Sequence, residues 1–127
     1  MPRTVYDTRF FIEHYYSRDE DVLQRTREEM RSREKHALAI VIHEVYQPTL
    51  AREGRESAVL RTTLLEKDFK MVKIDAEIAR GSAEFRHRYK ISMADSMIAA
   101  TASHLKATCL SDDPHFKIIK EIRTRWI

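Results

Sequence analysis

Short apolar runs recur along the chain at Val5-Tyr6, 38–42, 71–74 and 108–110, and longer stretches with helical spacing lie between them. The run Leu38-Ala39-Ile40-Val41-Ile42 is continuous rather than alternating, which predicts a strand covered on both faces, as in a parallel sheet wrapped by helices. Over 92–105, Met97, Ile98, Ala102 and Leu105 share one side of a helix, and the small residues beside them allow close approach to a sheet. Asp75 stands as the N-cap of a helix carrying Ala76, Ile78, Ala79 and Phe85 and reaching 86–90. Residues 19–35 are crowded with acids and bases and offer only Val22, Leu23 and Met30 for burial, which describes a solvated peripheral helix. Residues 54–69 present Val59, Leu65 and Phe69 as the stripe of a further helix. Strands alternating with helices in this order predict an α/β fold. The form expected is a three-layer α/β/α sandwich around a central, mainly parallel sheet of four to five strands, in one domain over 1–127.

Composition narrows the class. With Gly 2 and Pro 3, the chain lacks the turn residues of a sandwich or barrel, so helices must dominate. Charged residues at 34% and hydrophobic ones at 43% give solubility together with enough apolar material for a core, and exclude disorder. A single cysteine, Cys109, closes no internal disulfide, and no apolar leader opens the sequence, so a reducing, cytoplasmic setting is expected. Charges interrupt every apolar stretch well short of a membrane span. The net charge of +3 is a weak lean towards polyanionic partners.

In an open α/β sheet the ligand site lies beyond the carboxyl ends of the strands, and acids collect there. Asp7 ends Val5-Tyr6-Asp7, Glu44 follows the run at 38–42, and Asp112 and Asp113 follow Thr108-Cys109-Leu110-Ser111. Asp95 lies near the start of the apolar helix, where its carboxylate faces the helix dipole. Each has a plain structural role as well: Asp7 as a cap at Thr8, Asp95 as a dipole partner, and Asp113 as a cap before Pro114. Taken together, a common sheet edge brings them towards one point. Two carboxylates about 5 Å apart repel by roughly 3 kcal/mol at an effective dielectric near 20, and a divalent cation removes that repulsion. All-oxygen ligation selects Mg2+ or Mn2+ over Zn2+. The six histidines show no metal-binding pattern; only His43 adjoins the cluster, and surface or packing roles are expected for all of them. Thr8 and Ser111 are hydrogen-bond partners for the carboxylates or ordinary turn residues. Arg9 stands where a haloacid-dehalogenase phosphatase would place its second Asp, and Gly54 and Gly81 are not spaced for a P-loop.

These stretches resemble the PIN-domain nucleases, and within them the small VapC-like toxins of toxin–antitoxin pairs. Val5-Tyr6-Asp7-Thr8 is similar to the family's opening strand and first acid, and Ile40-Val41-Ile42-His43-Glu44-Val45 to its second strand and glutamate. The stretch from Ser92 to Ala102 resembles the third acid followed by a small-residue helix. Leu110-Ser111-Asp112-Asp113-Pro114-His115-Phe116 resembles the terminal motif, whose register selects Asp113 and leaves Asp112 a supporting or alternative role. Two positions depart from the pattern: Tyr6, where an aliphatic residue is commoner, and His115, where an acid is frequent.

The resemblance implies hydrolysis of RNA phosphodiester bonds with Mg2+ or Mn2+ held by Asp7, Asp95 and Asp113, and Glu44 acting on the water directly or through a second contact. It also implies a homodimer and a small antitoxin partner, for which the segment from Phe10 to Met30 is a candidate groove. Candidate phosphate contacts are Arg9, Arg25, Arg27, Arg31, Arg33, Lys35, Arg86, Arg88 and Lys90, with Tyr89 as a stacking platform; the alternative for each is a solvated face. The function alternative is a non-catalytic PIN-like RNA- or protein-binding module, against which stands the presence of all four acids.

Overall fold

The computed structural model describes residues 2–127. Strands β1 (Thr4–Tyr6), β2 (Lys35–Leu38), β3 (Lys70–Val72), β4 (Thr108–Leu110) and β5 (Arg123–Arg125) form one sheet in the order β3-β2-β1-β4-β5. Every pairing is parallel, with Val5 opposite His36 on one side and opposite Cys109 on the other. The intervening helices are α1 (Thr8–Tyr16), α2 (Glu20–Glu29), α3 (Ile40–Glu53), α4 (Arg55–Asp68), α5 (Ala76–Arg88), α6 (Met93–Leu105) and the short α7 (Pro114–Lys117). Right-handed crossovers put α1 to α4 on one face and α5 to α7 on the other, giving the three layers. Packing of α1 on α3, and of α6 on α7, follows this division.

The core explains why β1 is central. Val5, Tyr6, Phe10, Phe11, Leu38, Leu65, Ile98, Leu110 and Phe116 are fully buried around it. Tyr6, Phe11 and Phe69 pack edge-on, with Tyr6 and Phe69 centroids 5.0 Å apart. Ala99 and Ala102 of α6 are buried and let that helix lie close to β1, β2 and β4, while Ala100 faces Gly81 of α5. Phe10 and Phe11 are therefore core residues rather than part of a partner groove.

Three expectations are corrected. The apolar run at 38–42 is not one strand: β2 ends at Leu38, and Ile40, Val41 and Ile42 open α3. The buried positions Val41, Val45 and Thr49 repeat every four residues, and this helical stripe overrides the strand-like run. Val59 faces outward with Leu60 and Leu64, because the buried stripe of α4 is Ala58, Thr62 and Leu65, continued by Phe69. Lys35 is buried, its Nζ donating to the Met30 carbonyl and lying 4.8 Å from the Phe69 ring centroid, so it is not a phosphate contact. Among the described residues no helix is long and apolar enough to cross a membrane.

Candidate active site

Between β1 and β4 the sheet order reverses direction, the position at which an open α/β sheet leaves a crevice. Asp7 leaves β1 there as the N-cap of α1, and it is buried. Its side chain makes no cap hydrogen bond; instead the Ser111 hydroxyl donates to Asp7 Oδ2 at 2.6 Å. The same hydroxyl accepts from the Asp113 backbone N–H at 3.0 Å, so one small side chain couples the exits of β1 and β4. Asp113 caps α7, accepting from the His115 N–H at 2.9 Å, with Pro114 in the first turn. Its structural role and its place in the cluster are compatible, since a carboxylate has a second oxygen free.

Asp95 lies in the first turn of α6, whose N-cap Ser92 accepts from the Asp95 N–H at 3.1 Å. That cap fixes the backbone and leaves the half-buried carboxylate free to point towards Asp113. Glu44 sits one turn into α3 rather than at a strand exit, and the Thr8 hydroxyl donates to its Oε1 at 2.6 Å. Both hydroxyls flanking the acids are thus hydrogen-bond partners. Asp112 points elsewhere: Arg9 Nε and Nη2 donate to its two oxygens at 3.0 and 3.2 Å, and Arg9 also reaches Glu13 at 3.1 Å. Of the two neighbouring aspartates, Asp113 faces the cluster and Asp112 is neutralised on its rim.

Burial first, and mutual repulsion after it, disfavour charge on Asp7 and Asp95. Burial, opposed by the Ser111 hydrogen bond and reinforced by Asp95, pushes the Asp7 carboxyl up to about 6. Asp95 is raised by burial and by the charges of Asp113 and Glu44, against the favourable influence of His115. Among the described residues no Lys or Arg pairs with Asp7 or Asp95. Cys109, buried in β4 behind these acids, has its thiol pushed far up by burial first and by Asp7, Asp95 and Asp113 next, so it stays protonated.

One residue was missed by sequence reasoning. His115 Nδ1 is 2.7 Å from Asp113 Oδ1 and 3.9 Å from Asp95 Oδ2, and donor atoms of Asp95, Asp113 and His115 all lie within 4.8 Å of one another. The signal was its place two residues after Asp113, inside the first turn that Asp113 caps. His43 is exposed and lines a groove with Thr8 and Glu44, while His14 bonds Thr26 at 2.8 Å. Of the cationic candidates, Arg9 is engaged as above and Arg88 donates to Glu121, which also accepts from the Tyr89 hydroxyl.

A five-stranded parallel sheet with seven helices, and with acids gathered at the switch between β1 and β4, defines the class as a three-layer α/β/α protein. The sequence profile of the PIN domain matches residues 4–122, and the chain belongs to the PIN-domain family. Solved structures share the fold across nearly the whole chain. A DNA-bound VapBC from Salmonella typhimurium is 16% identical with a TM-score of 0.81, covering 99% of this chain and 98% of that one. A toxin–antitoxin complex from Klebsiella pneumoniae is 22% identical with a TM-score of 0.77, covering 98% and 99%. VapC20 from Mycobacterium tuberculosis, a sarcin-ricin loop cleaving toxin, is 16% identical with a TM-score of 0.75, covering 94% and 98%. No curated protein sequence matches the chain.

Proposed function

We propose that this chain is a metal-dependent endoribonuclease, the toxin of a toxin–antitoxin pair, with Asp7, Glu44, Asp95 and Asp113 as its catalytic carboxylates. The observation that carries the reading is the meeting of Asp95 and Asp113, with His115, beside a buried Asp7 whose carboxyl is raised by burial first and by the charge of Asp95 next. Such a donor set fits a hard dication: the oxygens are mutually repulsive, unmatched by Lys or Arg, and spaced for one ion to bridge. Asp7, Asp95 and Asp113 would hold Mg2+ or Mn2+, with Glu44 reached directly or through water. The bound ion would supply Lewis acidity at the scissile phosphate and at the attacking water.

The chain's own residues supply the remainder. Glu44, fixed by Thr8, orients the attacking water or takes its proton. Ser111 keeps Asp7 and Asp113 in register by bonding to both. The exposed Arg25, Arg27, Arg31, Arg33, Arg86 and Lys90 are left for phosphate contacts that bind without reading sequence. That several structurally similar proteins are toxin–antitoxin complexes supports a small antitoxin partner, and that one is a sarcin-ricin loop cleaving toxin supports an RNA substrate; a homodimer and a cytoplasmic setting complete the proposal.

The test is incubation of purified protein with total RNA in Mg2+ or Mn2+, with and without chelator, alongside Asp95→Asn. Cleavage that disappears with chelator and with the variant is expected. Equal cleavage by wild type and Asp95→Asn would overturn the site, and metal-independent cleavage would overturn the mechanism.

A further inference from the structure

We propose that His115 is a metal ligand that gives this site an imidazole donor and shifts its preference from Mg2+ towards Mn2+. The inference rests on the metal-dependent reading above and adds to it a residue that sets which ion is taken.

The imidazole atom turned to the cluster is Nδ1, 2.7 Å from Asp113 Oδ1 and 3.9 Å from Asp95 Oδ2. A single octahedral ion with bonds of about 2.1 Å spans about 4.2 Å between opposite ligands. The donor atoms of Asp95, Asp113 and His115 lie within 4.8 Å of one another, so adjustments of a few tenths of an ångström bring all three onto one ion. The backbone already aims the ring. Asp113 caps α7, Pro114 sets the first turn, and the His115 N–H is bonded to Asp113 Oδ1 at 2.9 Å, which places the side chain over the carboxylate that caps its own helix. The ring is largely exposed on its other side, so neither core packing nor a second partner dictates this direction.

The chemistry follows from donor type. Mg2+ gives up water reluctantly and takes oxygen ligands almost exclusively, whereas Mn2+, although the weakest nitrogen binder of the first-row transition ions, accepts an imidazole more readily than Mg2+ does. A neutral nitrogen in place of another carboxylate also lowers the negative charge around the ion, which weakens purely electrostatic Mg2+ binding more than binding with covalent character. His115 therefore trades Mg2+ affinity for discrimination, and His115→Asp should reverse the trade.

The experiment uses Mn2+ alone as probe. Electron spin-echo envelope modulation of the Mn2+-loaded protein reads directly coordinated nitrogen, and calorimetry gives Mn2+ and Mg2+ affinities for wild type, His115→Ala, His115→Asp and His43→Ala. Nitrogen modulation is expected in wild type and His43→Ala and absent in His115→Ala. The Mn2+ over Mg2+ preference should fall about tenfold in His115→Asp, within the range typical of altered metal surroundings. Tight Mn2+ binding without nitrogen modulation, or modulation that survives His115→Ala, overturns the assignment of His115 and leaves the carboxylate site standing. Failure of wild type to bind Mn2+ at all overturns both readings.

Discussion

Replacing Asp7 by Asn should stabilise the metal-free protein while destroying its response to metal. The Asp7 carboxyl is pushed up to about 6 from 3.8, chiefly by burial, so the native state holds a proton that the unfolded chain releases between those values. Where the native state binds more protons than the unfolded one, stability falls as pH rises, and the full cost is present above about pH 6. A shift of about 2 pH units corresponds to roughly 3 kcal/mol, a sizeable share of a domain's net stability. Asn keeps an oxygen to accept from Ser111 and carries no charge, so the variant escapes that cost. In chelator, the stability of Asp7→Asn relative to wild type should climb by about 2.4 kcal/mol between pH 4 and pH 7, or roughly 9 °C in melting temperature for a chain of this size. Taking the difference between the two proteins cancels the other titrating groups. Mn2+ at a hundred times its Kd would return about 2.7 kcal/mol to wild type and little to the variant, bringing the two close together again. Urea unfolding and thermal melts across pH, with and without Mn2+, read both effects. A difference curve that stays flat from pH 4 to 7, or that falls, would refute the claim that Asp7 is a buried carboxylate lacking a counter-charge.

Two further outcomes follow from neighbouring contacts. Ser111→Ala removes the hydroxyl that bonds both Asp7 and the Asp113 backbone, so Mn2+ affinity by calorimetry should drop by ten- to a hundred-fold; an unchanged affinity would mean that Ser111 is only a turn residue. Glu29→Gln disturbs a structural triad in which Glu29 accepts from Tyr6 at 2.5 Å and from Arg125 at 2.8 and 3.0 Å, so urea unfolding should lose about 2 kcal/mol while Mn2+ affinity holds. A loss below about 0.5 kcal/mol would show that the triad is solvent-compensated.

The legible parts of the sequence were those with a local physical signature. Asp75 caps α5 by accepting from the Ile78 N–H at 2.9 Å, Ser92 caps α6, and Asp113-Pro114 opens α7, each as its residue type requires. The switch-point rule places Asp7 and Asp113 beyond the ends of β1 and β4, whereas Glu44 and Asp95 are carried on α3 and α6. What was hidden depends on tertiary context. The β2–α3 boundary fell inside a run that is apolar in either conformation, and only the Val41, Val45, Thr49 repeat distinguishes the helix. β5 is three residues of Arg-Thr-Arg on a sheet edge, where charge protects against further pairing and erases any apolar signal. Tyr6, a departure from the family pattern, is accommodated because Glu29 arrives from α2 to accept its hydroxyl, a pairing across 23 residues that no local pattern encodes. His115 stayed hidden for a different reason: its distance to Asp95 depends on how α6 and α7 pack.

The position at which a cation settles tests the proposed metal site most directly. An anomalous difference map from crystals soaked in Mn2+ should show its strongest peak within about 2.2 Å of carboxylate oxygens of Asp95 and Asp113, on the Asp7 side of the crevice. A strong peak elsewhere on the molecule with none between these side chains would contradict it.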